Sequence, residues 1–132
     1  MNYQKLCIVF SLAMFSQAAW SDSLACKVQR AFELSEKGAL ESSNLLRNMY
    51  PEAFYVDTET GKIVGGPMDT THWGETKIYP VLKYQSFAVL SFTHGEGTNR
   101  GLRSMYVGER LKSGQHAFQI ADGLFVYAGT CK

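Results

Sequence analysis

From Phe54 onward, hydrophobic and polar positions alternate in short runs separated by turn residues, the period-two grammar of antiparallel strands. Phe54-Tyr55-Val56 and Lys62-Ile63-Val64 flank Asp57-Thr58-Glu59-Thr60-Gly61. An Asp opening and a Gly able to adopt a left-handed conformation predict a hairpin with a bulge there. Gly65-Gly66-Pro67 cannot continue a central strand and opens a loop through His72-Trp73-Gly74. Ile78-Tyr79-Pro80-Val81-Leu82 is rich in strand formers, but Pro80 confines it to an edge or a bulge. Ser86-Phe87-Ala88-Val89-Leu90-Ser91-Phe92 is apolar on both alternating faces, which marks the most buried strand. The polar tip Thr93 to Asn99 joins it to Leu102-Arg103-Ser104-Met105-Tyr106-Val107 as a long hairpin. Last, Phe118-Gln119-Ile120-Ala121 and Leu124-Phe125-Val126-Tyr127 flank Asp122-Gly123, a strong two-residue hairpin signal.

The stretch before Phe54 is less one-sided. Val28, Phe32 and Leu34 fit a strand ending in the Ser35-Glu36-Lys37-Gly38 turn and resuming at Ala39-Leu40, although the Val28/Phe32 spacing also permits a helix. Gly38 sits badly in a helix interior, which favours the strand. Ser42 or Ser43 can cap a short helix through Leu45, Leu46 and Met49 that ends before Pro51. The expected fold is mostly β: seven or eight short strands in an antiparallel meander, forming a small barrel or a two-layer sheet, with one short helix. Cys131 is expected on an edge strand, within reach of the first.

The N-terminus reads differently. Lys5 precedes the apolar run Leu6 to Phe15, and small residues follow at Ala18, Ala19 and Ser21, the build of a secretory signal peptide. The run is too short for a bilayer core, which needs about 20 apolar residues. The expected division is therefore a signal peptide over residues 1–21 and one β-rich domain over 22–132, a size that supports a modest core. Removing the signal takes Lys5 from the thirteen basic side chains and leaves twelve against twelve acids. Neutrality argues against nucleic acid or an anionic membrane surface as partner, and no stable membrane insertion is expected once the signal is gone. Cys7 leaves with the signal as well. The remaining Cys26 and Cys131 stand near the two ends of the mature chain, and in an oxidising compartment they are most simply a disulfide.

Several stretches together resemble a family of uncharacterised small exported proteins of Gram-negative bacteria. They are Cys26 with Phe32 to Leu40, Phe54 to Gly65, Ser86 to Leu90, and Ala121 to Cys131. The resemblance implies a signal-bearing, single-domain β protein and carries over no activity.

Candidate chemistry is thin. His72, His94 and His116 lack ligand spacing, so no metal or other cofactor is expected. No Gly-x-Ser-x-Gly elbow accompanies Ser91 or Ser104, and Asp122 already has work in its turn. Asp57 and Glu59 read as a hairpin tip before they read as paired catalytic carboxylates. His94-Gly95-Glu96-Gly97 lacks the Gly-Lys-Ser/Thr ending of a phosphate loop. Arg100, Arg103, Arg110 and Lys112 form a basic stretch that is a solvated strand face or an anionic-ligand surface. Trp73 beside His72 is either a partner anchor or a lid over one end of the sheet. The leading expectation is a non-catalytic exported binding domain, periplasmic or secreted, with a protein or small-molecule ligand. Its candidate binding residues are His72, Trp73, His94, Arg100 and Arg103. The competing expectation is a small hydrolase or metal-dependent enzyme that uses His94 or His116 with a nearby carboxylate.

Overall fold

The computed structural model describes residues 23–71, 75–81, 86–92 and 101–132. These build a curled antiparallel sheet, a half-barrel, with one short helix. The strands are β1 (Ser23–Leu34), β2 (Leu40–Ser42), β3 (Phe54–Asp57), β4 (Ile63–Val64), β5 (Glu75–Val81), β6 (Ser86–Phe92), β7 (Leu102–Arg110), β8 (His116–Asp122) and β9 (Phe125–Cys131). Their order is β4-β3-β1-β9-β8-β7-β6-β5, with β2 pairing on β1. From β5 to β9 the chain is a plain meander, and the first strand then lies against the last.

Local chemistry accounts for most of these elements. The Ser35–Gly38 turn joins β1 to β2, and Gly38 takes a φ of 76°. Ser43 caps α1 (Asn44–Asn48), its hydroxyl accepting from the Leu46 N–H at 3.3 Å. At the β3–β4 tip, Asp57 Oδ1 accepts from the backbone N–H groups of Glu59 and Thr60, both at 2.9 Å. Strand β5 is terminal in the sheet, which leaves Pro80 at an edge as its chemistry requires.

Two expectations need correction. Cys131 lies in β9, a central strand flanked by β1 and β8, because β1 inserts between β3 and the end of the meander. In the last hairpin Asp122 pairs with Phe125, so the loop residues are Gly123 and Leu124, and Asp122 ends a strand.

Cys26 and Cys131 are register partners and form a disulfide with a Cα–Cα distance of 3.9 Å. The adjacent pair, Ala25 and Lys132, exchanges both backbone hydrogen bonds at 2.9 and 3.0 Å. The cysteines therefore occupy a non-hydrogen-bonded site, where opposing side chains approach most closely.

The core fills the concave face. Phe54, Ile63, Met68, Met105 and Ile120 are fully buried, and Phe54 meets Phe118 edge-on at 5.3 Å. The β3–β4 hairpin folds over this face far enough that a Cβ on Gly61 would lie 3.1 Å from Ile78 Cβ in β5. Ile63 is held by Thr70, whose hydroxyl accepts from the Ile63 N–H at 2.8 Å.

Candidate functional site

One row of concave-face residues runs across the sheet as Val89, Met105, Ile120, Tyr127 and Ala31, all register neighbours and all buried. Two positions further along the same strands, on the same face, the chemistry changes. Ser91, Arg103, Asp122 and Phe125 form the next row. Arg103 Nε lies 3.0 Å from Asp122 Oδ1, with the two side chains only 19% and 27% exposed. Ser91, in the register position opposite Arg103, is 1% exposed, and its hydroxyl has no hydrogen-bond partner among the described residues.

Tyr127 borders this row from the apolar side. Its phenol is pushed up to about 12, first by burial, then by the neighbouring Tyr50 phenol and Asp122 carboxylate, which disfavour a further negative charge; Arg103 pulls the other way. Tyr50 follows α1 and meets Tyr127 edge-on at 5.5 Å between ring centres. Helix α1 packs on β1, which brings Tyr50 over the concave face beside β9. Among the described residues, this end of the concave face therefore brings the Arg103–Asp122 pair, the Tyr127 and Tyr50 rings and the buried Ser91 hydroxyl close together beside the apolar core.

Glu75, Phe92 and Leu102 are register partners in one row. Residues 72–74 lead directly into Glu75, and residues 93–100 link Phe92 to the β7 segment. His72, Trp73, His94 and Arg100 themselves lie outside the described residues.

Comparison with known families, curated protein sequences and solved structures gave no match.

The remaining candidates are dispersed. His116 sits at the opposite end of β8, in register with Cys131, and its Nδ1 is 2.8 Å from the Gly108 carbonyl oxygen. Among the described residues no carboxylate forms an ion pair with it, and no group of three or more His, Cys, Asp or Glu side chains converges as a metal site. The basic stretch is likewise divided. Arg103 is on the concave face, whereas Arg110 stands at the far end of β7, its Nε donating to the Gly114 carbonyl at 3.1 Å. Glu75 pairs with Lys77 at 3.0 Å on the edge strand, and its carboxylate raises the Lys77 pKa.

Two hollows lie elsewhere. One of about 360 Å³ is lined by Glu33, Glu36, Glu41 and neighbouring serines at the β1–β2 hairpin. The other, about 300 Å³, lies beside the disulfide among Lys27, Gln29, Gln115 and Lys132.

Sequence reasoning selected Arg103 as a binding residue and weighed Ser91 and Asp122 only as parts of a hydrolase, not as its companions. Alternation alone places Arg103 with Met105 and Val107, Asp122 with Phe118 and Ile120, and Ser91 with Val89, so this part of the cluster carries a readable period-two signal. Tyr50 carries none, because its place depends on how α1 docks.

Proposed function

We propose that this chain is an exported, non-catalytic binding domain that takes a small-molecule or protein ligand at the Arg103 end of the half-barrel. The observation that carries the reading is the convergence of the Arg103–Asp122 pair, Tyr127 and the buried Ser91 hydroxyl at one end of the trough. Rigid hairpins that present variable loops at one end of a sheet are a common arrangement for recognition. The Cys26–Cys131 disulfide is compatible with an exported protein, and among the described residues no helix is long and apolar enough to cross a membrane. The signal-like N-terminus supports export to the periplasm or beyond.

The test is capture. The purified, disulfide-bonded protein and its Arg103→Glu variant, each verified by near-UV circular dichroism to be folded, are immobilised and exposed to envelope extract of the producing cell. A molecule retained by the wild type and lost from the variant supports the reading. Equal retention on both, or none on either, refutes it.

A further inference from the structure

We infer that two copies of this chain pack face to face through the outer, convex side of the sheet, in a two-fold dimer of defined register. Strand β6 supplies the first observation. Its run is apolar on both alternating faces, yet only Phe87 and Val89 join the core, while Ala88, Leu90 and Phe92 point outward and stay partly exposed. The apolar surface continues onto the neighbouring strands. Tyr79 of β5 and Leu102 and Tyr106 of β7 stand on the same outer face and are each about half exposed. An exposed apolar patch of this extent marks an interaction surface.

Charge, shape and area together point to a second copy as its occupant. The two central outer rows are Leu90-Ser104-Ala121-Val126 and Ala88-Tyr106-Gln119-Ala128, and neither holds an ionisable acid or base. A charge near a two-fold axis meets its own copy, so an uncharged centre suits self-association. An axis running across the strands between these rows lays each row on the other row of the second copy. Leu90 then faces Ala88, Tyr106 faces Ser104, Gln119 faces Ala121 and Val126 faces Ala128. At all four strands a larger side chain meets a smaller one, the interdigitation that packed sheets require. The same axis sets Lys77 against Tyr79 at one border and Arg30 against Phe32 at the other, cation against ring.

From β5 to β1 the face spans about 29 Å across six strands and about 20 Å along them, close to 600 Å² per copy by strand spacing. The pair therefore covers about 1,200 Å², the lower end of specific interfaces, which corresponds to a reversible dimer. Arg103 and Asp122 lie on the concave face, so this inference is independent of the binding reading above.

Sedimentation velocity of the disulfide-bonded protein over a range of concentrations reads the association. The expected result is a monomer–dimer equilibrium with Kd in the micromolar range. Ser104→Tyr sets two tyrosines against each other, and Tyr106→Ser removes the larger partner; each raises Kd at least about tenfold. Because position 104 faces position 106 of the second copy, the double variant Ser104→Tyr/Tyr106→Ser restores the size match and recovers association to within about threefold of wild type. Recovery in the double variant excludes loss of folding as the cause in the single ones, and near-UV circular dichroism checks each. Arg103→Glu leaves Kd unchanged.

A wild-type protein that is monomeric at every concentration overturns the inference. So does a dimer indifferent to Ser104→Tyr, or a folded double variant that fails to associate. A monomer that instead holds lipid vesicles or a glycan through Tyr106 overturns it as well, by showing a different occupant of the face.

Discussion

Replacement of Gly129 by alanine separates two kinds of glycine in this fold. Gly129 lies in β9 opposite Val28, beside the irregularity between Val28 and Arg30 in β1. A Cβ there would lie 1.9 Å from the Lys27 carbonyl oxygen and 2.8 Å from Phe118 Cε1, where ordinary contacts begin near 3.4 Å. The obstacle on one side is backbone, so relief requires β1 and β9 to part by roughly 1.5 Å. That displacement carries the neighbouring β1–β9 ladder bonds beyond hydrogen-bonding range. Two lost bonds at about 1 kcal/mol each, added to about 1–3 kcal/mol for overpacking, give a loss of about 3–5 kcal/mol. A domain of this size has a total stability of about 5–15 kcal/mol, so the variant is severely weakened.

Gly123→Ala is the control. It meets nothing within 4 Å, and only its φ of 58° disfavours a side chain, for a cost of about 1–2 kcal/mol. Urea unfolding followed by far-UV circular dichroism measures both. Losses within 1 kcal/mol of each other, or a Gly129→Ala variant as stable as wild type, refute the argument that a strand backbone blocks this position.

Three further outcomes follow from the same geometry. Replacing Cys26 and Cys131 together by alanine frees ends separated by 105 residues and lowers stability by about 4–5 kcal/mol in the chain-entropy account, with a steeper urea dependence as the unfolded chain expands; an unchanged midpoint refutes it. Phe54→Ala empties a fully buried site against Phe118 and costs about 3–5 kcal/mol, read by thermal unfolding; a loss below 1 kcal/mol contradicts the packing described. Tyr127 has a folded-state pKa raised above its ordinary value of 10.0, so its contribution to stability is complete below pH 10 and is lost as pH climbs towards about 12. An ultraviolet titration should show a late tyrosinate step that Tyr127→Phe removes; an identical titration in the variant refutes the assignment.

The hairpins were readable because each is written in adjacent residues. Asp57 to Gly61, Ser35 to Gly38 and the Asp122-Gly123 region all carry turn chemistry that needs no distant partner. The half-barrel and the central position of β9 were not readable, since both depend on β1 choosing a neighbour at the opposite end of the chain. Reading Arg103 and Arg110 as one basic stretch failed for a simpler reason. Seven residues of extended chain separate them by roughly 23 Å, and odd spacing turns them to opposite faces before the irregularity at Val107–Arg110 is counted. The candidate site was half legible: strand parity groups Ser91, Arg103 and Asp122 with core residues, but the docking of Tyr50 has no local signature.

Seating β1 between β3 and β9 also dictates an order of events during synthesis. The strand that leaves the ribosome first must wait for the one that leaves last, while β5 to β8 can zip together from nearest neighbours. β1 can pair with β2 and β3 as soon as they are made, but its β9-facing edge stays open to wrong partners until the final hairpin emerges. Assembly of this molecule thus joins two locally paired parts, β1 to β4 and β5 to β9, and is completed only when the first strand meets the last.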